Sequence, residues 1–145
     1  CATHLPFELD GTGITFSGDH VMAWATTIVA PPDGAMSDYM ASLDRLIARE
    51  PGIMLPGHGG AVRAPGPFMR GLKGHRKMRE RAVLERIRGG DRTIPEIVSA
   101  IYRDTDPRLH GAAGLSVLAH LEDLVARGQV GTEGDVALDG VFLPG

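Results

Sequence analysis

The stretch that decides the fold is Phe16-Ser17-Gly18-Asp19-His20-Val21, and a second stretch, Leu55-Pro56-Gly57-His58-Gly59, has a similar layout. Each follows a short apolar run and places a metal-binding side chain where a predicted strand passes into a loop. If the two loops meet in space, Asp19 offers a carboxylate oxygen and His58 an imidazole nitrogen to one divalent ion, a combination that zinc accepts. The sequence therefore predicts a candidate metal site at Asp19 and His58.

Each of these motifs also fits an ordinary loop when it is taken alone. An aspartate after a strand is commonly a turn or cap residue, and a histidine flanked by glycines is commonly a loop residue. His20 is predicted either to orient a ligand without touching the ion or to face solvent. The remaining histidines lack ligand-like spacing and are predicted to be structural: His4, His75, His110 and His120.

An α/β pattern surrounds the two loops. Residues 5–9 and 14–17 are predicted to form an antiparallel strand pair, because the glycines of the intervening turn permit positive φ angles. Residues 53–55 are predicted to form a buried strand, and residues 24–34 a functional loop. Between them, an apolar stripe of 3.6-residue period predicts an amphipathic helix through Met36, Tyr39, Met40, Leu43, Leu46 and Ile47.

The second half of the chain has a helical pattern. Residues 63–67, with two prolines and a glycine, are predicted to interrupt regular structure. Helices are then predicted over 68–88, after a capping box of Thr93 and Glu96, and after Pro107. Strands are predicted at 129–130 and 136–143. Three helices followed by a hairpin predict a winged helix, with domain bounds at 1–66, 67–90 for a basic connecting helix, and 91–145.

Charge and composition narrow the classes of protein. The chain has 145 residues, a formal charge of −3 and one cysteine, and no apolar run nears the roughly 20 residues that span a bilayer. We therefore expect a soluble, cytoplasmic protein that does not bind membranes. Residues 70–88 carry eight Lys and Arg against two Glu. This basic helix is either a solvated face joining two bodies or a nucleic-acid surface through Arg76, Lys77 and Arg79.

The two loop motifs resemble those of the metallo-β-lactamase-fold hydrolases of the glyoxalase II and β-lactamase-like protein 2 type. Four further segments are similar to that subgroup: Val29-Ala30-Pro31-Pro32-Asp33-Gly34, Asp38-Tyr39-Met40, His75-Arg76 and Arg79-Glu80. The resemblance implies an α/β fold, part of an αββα sandwich, followed by a small, mainly helical winged-helix domain. It also implies that Asp19 bridges two metal ions, usually zinc, and that His58 binds the second; manganese or iron also suit such ligands.

The resemblance is incomplete. The family's main metal motif, His-x-His-x-Asp-His, is absent from the sequence, and a further Thr-Pro-Gly-His segment would be expected just before Cys1, with His4 as a non-ligand residue a few positions beyond it. We therefore expect the chain to be the C-terminal part of such an enzyme. Its partner would be the missing N-terminal half of the same domain. The fragment alone would be inactive, since catalytic zinc usually takes three protein ligands, and it would be metal-free.

Three functions follow from these features. The first is a metal-dependent hydrolase that cleaves a thioester, ester, lactone or phosphodiester in a small-molecule substrate with metal-bound hydroxide. The alternative is a winged-helix nucleic-acid-binding module or an RNA-directed nuclease. The third gives residues 91–145 a structural role, at the mouth of the active site or in a homodimer interface, with an internal core of Leu118, Leu121, Leu124 and Val125.

Overall fold

The computed structural model describes residues 5–145, so the expectations for Cys1 and His4 lie outside the described part. The chain divides into two compact units. The first contains the residues up to Thr27 and Asp38–Arg76, and the second contains Ile28–Ser37 and Lys77–Gly145. In chain order the elements are β1 (Phe7–Leu9), β2 (Ile14–Gly18), α1 (Met36–Ala48), β3 (Ile53–Pro56), α2 (Pro65–Arg88), α3 (Ile94–Ile101), a 3-10 turn (Pro107–Leu109), α4 (His110–Ala126), β4 (Val130–Glu133) and β5 (Val141–Pro144).

The first unit is built on a three-stranded sheet in the order β1-β2-β3. Strands β1 and β2 pair antiparallel, as the sequence predicts, and the turn between them uses positive φ angles of 73° at Gly11 and 69° at Gly13. Strand β3 pairs with β2 in parallel. Because parallel neighbours need a crossover connection, α1 lies between them in the chain. The carboxyl ends of β2 and β3 therefore meet at one edge of the sheet.

The two faces of this sheet differ in burial. On one face, Thr15 and Met54 are 4% and 0% exposed. On the other face, Phe7 pairs with Phe16 across β1 and β2, and these rings remain 66% and 47% exposed. Since side chains alternate between faces along a strand, the exposed rings belong to one apolar face. Helix α1 contributes its predicted stripe to the interior of the unit, where Tyr39, Leu43 and Leu46 are buried.

The second unit encloses a continuous apolar core. The second half of α2, with α3, α4 and the β4-β5 hairpin, contributes side chains to it, among them Ile87, Ile97, Leu121, Leu124 and Phe142. The predicted capping box is present, since the backbone N–H of Thr93 donates to Glu96 Oε2 at 2.9 Å. The predicted core placement is confirmed for Leu118, Leu121 and Leu124, which are buried, and Val125 packs against them partly buried.

Three sequence predictions about boundaries were wrong. Strand β4 covers Val130–Glu133, so it extends beyond the predicted residues 129–130 into the predicted turn. Residues 63–67 do not interrupt regular structure as a block, because α2 begins at Pro65. Proline is tolerated in a first helical turn, where its missing N–H has no intrahelical acceptor. The last strand begins at Val141 instead of Val136. The intervening residues turn back on themselves, with the N–H of Gly140 donating to the carbonyl of Ala137 at 3.0 Å.

Candidate metal centre at the edge of the sheet

The parallel pairing of β2 and β3 brings the two predicted ligands together. Asp19 directly follows β2, and His58 lies two residues beyond β3. The N–H of Gly57 donates to the carbonyl of Gly18 at 2.9 Å, so the two chains stay joined past the ends of the strands. His58 Nε2 then lies 3.6 Å from Asp19 Oδ1. The prediction that the two loops meet in space therefore agrees with the geometry.

Glycines make this approach sterically feasible. A Cβ atom at Gly57 would lie 2.9 Å from Asp19 Oδ1, closer than a side chain can approach without moving the carboxylate. Gly18 and Gly59 have positive φ angles of 53° and 91°, in the region that favours glycine. A Cβ atom at Gly59 would also lie 3.0 Å from the Cβ of Ala23. The glycines that flank His58 therefore allow close contacts that a larger side chain would block.

The paired side chains suit one divalent ion in donor type and spacing. The His58 side chain is 62% exposed and the Asp19 side chain 34% exposed, so an ion from solvent can reach both. Their 3.6 Å separation is shorter than two zinc–ligand bonds of about 2.0–2.2 Å laid end to end. Within residues 5–145, however, no group of three or more His, Cys, Asp or Glu side chains could hold a metal. The pair therefore fits part of a metal site.

A short loop after β2 supports the Asp19 position from below. Thr27 Oγ1 donates to the carbonyl of Asp19 at 2.5 Å and lies 3.1 Å from the carbonyl of His20. Ser17 Oγ donates to the carbonyl of Val21 at 2.9 Å. These side chains are buried and satisfy backbone carbonyls that would otherwise be costly to desolvate. The Asp19 carboxylate is consequently presented from a fixed backbone.

His20 belongs to a buried polar and aromatic cluster behind the metal pair. It is 4% exposed, which removes the solvent-facing alternative, and its ring centroid lies 5.0 Å from that of Tyr39. The guanidinium of Arg76 lies 5.3 Å from the Tyr39 ring centroid and donates to the carbonyl of Thr27. Burial raises the pKa of Tyr39, and the Arg76 charge opposes that rise, so the hydroxyl is neutral at physiological pH.

This cluster behind the metal pair was not predicted from the sequence. A tyrosine within the apolar stripe of α1 was the available signal, because a buried hydroxyl usually needs a polar neighbour. No sequence feature distinguished Thr27 from any other loop threonine, since its role depends on two carbonyl groups that only the folded turn brings near it.

The three residues proposed for nucleic-acid binding differ in exposure and in the groups they contact. Arg76 is 5% exposed and lies inside the first unit, which does not favour a phosphate contact. Lys77 is exposed. In the second unit, the guanidinium of Arg79 lies 4.6 Å from the ring centroid of Tyr102. Cations at both ends of the α4 region have acidic partners, since Arg108 pairs with Asp106 and Arg127 with Asp123 and Glu80.

No helix in residues 5–145 has both the length and the apolar character that crossing a bilayer requires.

The chain is similar in sequence and in fold to known proteins. Residues 93–139 match the family model of the beta-lactamase associated winged helix domain. Over 121 residues the chain is 26% identical to a beta-lactamase-like protein 2 homolog of Drosophila melanogaster, in an alignment that covers 81% of this chain and 40% of that protein.

Two crystal structures have a similar fold. A metallo-beta-lactamase family protein from Thermus thermophilus matches 96% of this chain and 44% of its own, with 24% identity and a TM-score of 0.79. A beta-lactamase domain protein from Burkholderia ambifaria matches 97% of this chain and 44% of its own, with 23% identity and a TM-score of 0.83. The chain thus spans less than half the length of these relatives. It has part of a metallo-β-lactamase fold, residues 93–139 are similar to a β-lactamase-associated winged helix, and the sequence is similar to part of a β-lactamase-like protein 2 homolog.

Proposed function

We propose that the chain is part of a metal-dependent hydrolase of the metallo-β-lactamase superfamily, acting on a small-molecule ester, thioester, lactone or phosphodiester. The observation that carries the proposal is the convergence of Asp19 and His58 at 3.6 Å beyond two parallel strands. The names of the relatives support the same class of protein. Fold alone does not define an activity, so the proposal depends on this pair of side chains.

Asp19 and His58 have distinct parts in the proposed site. His58 would hold an ion through Nε2, the imidazole nitrogen that faces Asp19. The Asp19 carboxylate has two oxygens, and it can hold one ion or bridge two. A bound divalent ion, zinc or else manganese or iron, supplies polarisation of the scissile carbonyl or phosphoryl group and an activated water. Thr27 keeps the Asp19 backbone in place through the bond to its carbonyl.

The proposed site is completed by residues outside this sequence. Two protein donors are fewer than the three that a catalytic zinc usually takes. The exposed apolar face of the sheet, with Phe7 and Phe16, supports the same conclusion, because a sheet normally buries an apolar face against another layer. The relatives contain more than twice the aligned length. We propose that the remainder of such a domain covers this face and supplies further ligands.

Metal binding by the 145-residue chain tests the role of the pair. Titration with Co²⁺, followed by visible absorption and isothermal calorimetry, should show weak binding that Asp19→Asn and His58→Gln each reduce by about tenfold or more, since even residues behind a ligand commonly contribute that much. Asp10→Asn, in the exposed β1-β2 turn, is the matched control and should retain wild-type affinity. Equal affinity in the wild type and all three variants would sink the proposed site.

Turnover measurements test whether the site needs ligands from outside this sequence. With zinc added, the chain should show little hydrolysis of a panel of thioesters, esters and phosphodiesters, because the pair leaves the ion short of fixed ligands. Robust, stoichiometrically zinc-dependent turnover by these 145 residues would contradict the requirement for residues from elsewhere.

A further inference from the structure

A groove of 790 Å³ lies within the first unit, next to the Asp19-His58 pair. We propose that this groove binds the apolar acyl group of the substrate, a role that rests on the proposed function. The substrate class would then be an ester or thioester of a hydrocarbon acid. In its hydrolysis, water oxygen bonds to the acyl carbon, the carbon–oxygen or carbon–sulfur bond breaks, and the alcohol or thiol leaves with a proton.

The groove lies beside the segment that carries His58. Ala23 lines one wall, and its N–H donates to the carbonyl of His58 at 3.4 Å. On the same side, the Cα of Gly59 is so close to Ala23 that a Cβ there would lie 3.0 Å from the Ala23 Cβ. Ala23, which lines the groove, therefore contacts the segment that carries the proposed metal ligand His58. A substrate can place its acyl carbon at the pair and its hydrocarbon chain in the groove.

The lining has the chemistry of a hydrocarbon site. The walls include the apolar side chains of Ala61, Val62, Pro67, Phe68 and Leu72. A volume of 790 Å³ falls in the range of about 300–1,000 Å³ typical of small-molecule sites, which are mostly apolar with a few polar groups. Such a lining favours methylene groups, because their transfer from water to apolar surroundings is favourable. It disfavours a sugar or a nucleotide, whose polar groups would lose their hydration.

A few polar groups also line the groove. Thr26, Arg63 and His75 complete its lining, and Arg63 is exposed. An exposed guanidinium can receive a carboxylate from an acid that leaves or enters the groove. A medium-chain fatty acid, the product of acyl ester hydrolysis, therefore fits both the apolar walls and the charged rim.

Hydrogen bonds hold the wall on the Ala23 side in place. Thr27 bonds the carbonyls of Asp19 and His20, and Arg76, on the part of α2 that belongs to the same unit, donates to the carbonyl of Thr27. The loop of residues 23–27 is thus tied both to the candidate metal centre and to α2, the helix that also lines the groove. A site built in advance loses less binding energy to ordering.

Two glycines of α2 provide a matched pair of variants. Gly71 lines the groove, whereas Gly74 lies outside its lining. A Cβ atom at either position would meet nothing within 4 Å, so neither substitution creates a clash at Cβ. Leucine is also a better helix former than glycine. Gly71→Leu should fill the groove and Gly74→Leu should leave it open, with similar effects on the stability of the helix.

The test uses sodium decanoate as the probe, with amide and methyl NMR of the metal-free 145-residue chain. Saturable shifts are expected at Ala23, Val62 and Leu72. Gly71→Leu should weaken binding, raising the dissociation constant by about tenfold or more, because the leucine occupies the volume that the hydrocarbon needs. Gly74→Leu should match the wild type within about twofold, as expected for a surface substitution. Thermal unfolding of both variants controls for folding.

Three results would overturn the proposal: no saturable shifts, equal loss in the two leucine variants, or shifts centred on Phe7 and Phe16 of the exposed sheet face. The same titration with Asp19→Asn separates this proposal from the proposed function. Decanoate should still bind the groove of that variant, since Asp19 does not line it. The proposal for the groove and the proposal for the metal pair can therefore be refuted independently of each other.

Discussion

The two units of the chain differ in how far each buries its own apolar surface. In the second unit, Val117, Leu121 and Phe142 are 0% exposed within a continuous core. In the first unit, the paired rings of Phe7 and Phe16 stay largely exposed on one face of the sheet. The second unit thus has a closed core, and the first unit has an exposed sheet face that is suited to packing against another layer.

The proposed functional sites follow the same division. In the unit with the closed core, several charged residues pair with one another, as Arg127 does with Asp123. The unit with the open face holds the Asp19-His58 pair and the apolar groove. Groups that bind an ion or a substrate must remain accessible, so they lie where burial is incomplete. The comparison predicts that substitutions in the core of the second unit change stability, and that those at the Asp19-His58 pair and the groove of the first unit change binding.

Matched phenylalanine variants should show the largest effect. Phe142→Ala removes a ring that is 0% exposed, and such a cavity should lower the free energy of unfolding by about 3–5 kcal/mol. Phe7→Ala removes a ring that is 66% exposed and should cost less than about 1 kcal/mol, since little burial is lost. Urea unfolding followed by amide NMR signals of α4 and of β2 would report the two units separately.

The same pair of variants can break the comparison. If Phe7→Ala destabilises the chain as much as Phe142→Ala, the open face of the sheet is in fact covered in solution, for example by self-association. Sedimentation of the wild type and of Phe7→Ser would then show whether a dimer buries that face and whether a polar side chain dissociates it.

Matched glycine variants in the loop after β3 should show a smaller effect, on binding. Gly57→Ala places a Cβ 2.9 Å from the position of Asp19 Oδ1, so the carboxylate must shift from its place beside His58. Gly60→Ala adds a Cβ that meets nothing within 4 Å. Co²⁺ affinity should fall by about tenfold, or about 1.4 kcal/mol, in the first variant and stay unchanged in the second. Unchanged affinity in both would show that the carboxylate position does not limit metal binding.

Local patterns in the sequence predicted much of the fold. The hairpin glycines, the stripe of α1 and the Thr93-Glu96 capping box each depend on a few neighbouring residues, and the structure has all three. Errors arose where a local rule has a positional exception. Pro65 opens a helix that the proline rule was expected to prevent, because the rule applies to the interior of a helix and not to its first turn.

The candidate site was only partly predictable. Asp19 and His58 could be chosen because glycines and strand ends mark them in the sequence, and the parallel pairing of β2 and β3 then accounts for their approach. The groove and the Thr27-Arg76 contact could not be predicted, since Arg76 lies 49 residues beyond Thr27 in the chain. Arg76 carried a charge that favoured a surface role, yet a buried carbonyl and a tyrosine ring receive it in the interior.

The smallest effect should come from the capping carboxylate of the second unit, and it depends on pH. Glu96 Oε2 accepts from the N–H groups of Arg92 and Thr93 and from Thr93 Oγ1, each at 2.9 Å. These bonds, the one from Arg92 first, hold the pKa of Glu96 below its ordinary value of 4.5. A carboxylate with a lowered pKa stabilises the fold above its unfolded pKa, and that contribution is lost as the pH falls through the folded pKa.

Glu96→Gln keeps an acceptor for the capping box but cannot titrate. The stability of the second unit should therefore fall less between neutral pH and about pH 3 in this variant than in the wild type. Glu85→Gln, at an exposed position of α2, should keep the wild-type slope. Arg108 lowers the pKa of Asp106, which adds the same acid sensitivity to all three proteins and cancels in the comparison. An unchanged slope for Glu96→Gln would mean that the cap stabilises α3 through its hydrogen bonds alone, without help from the charge.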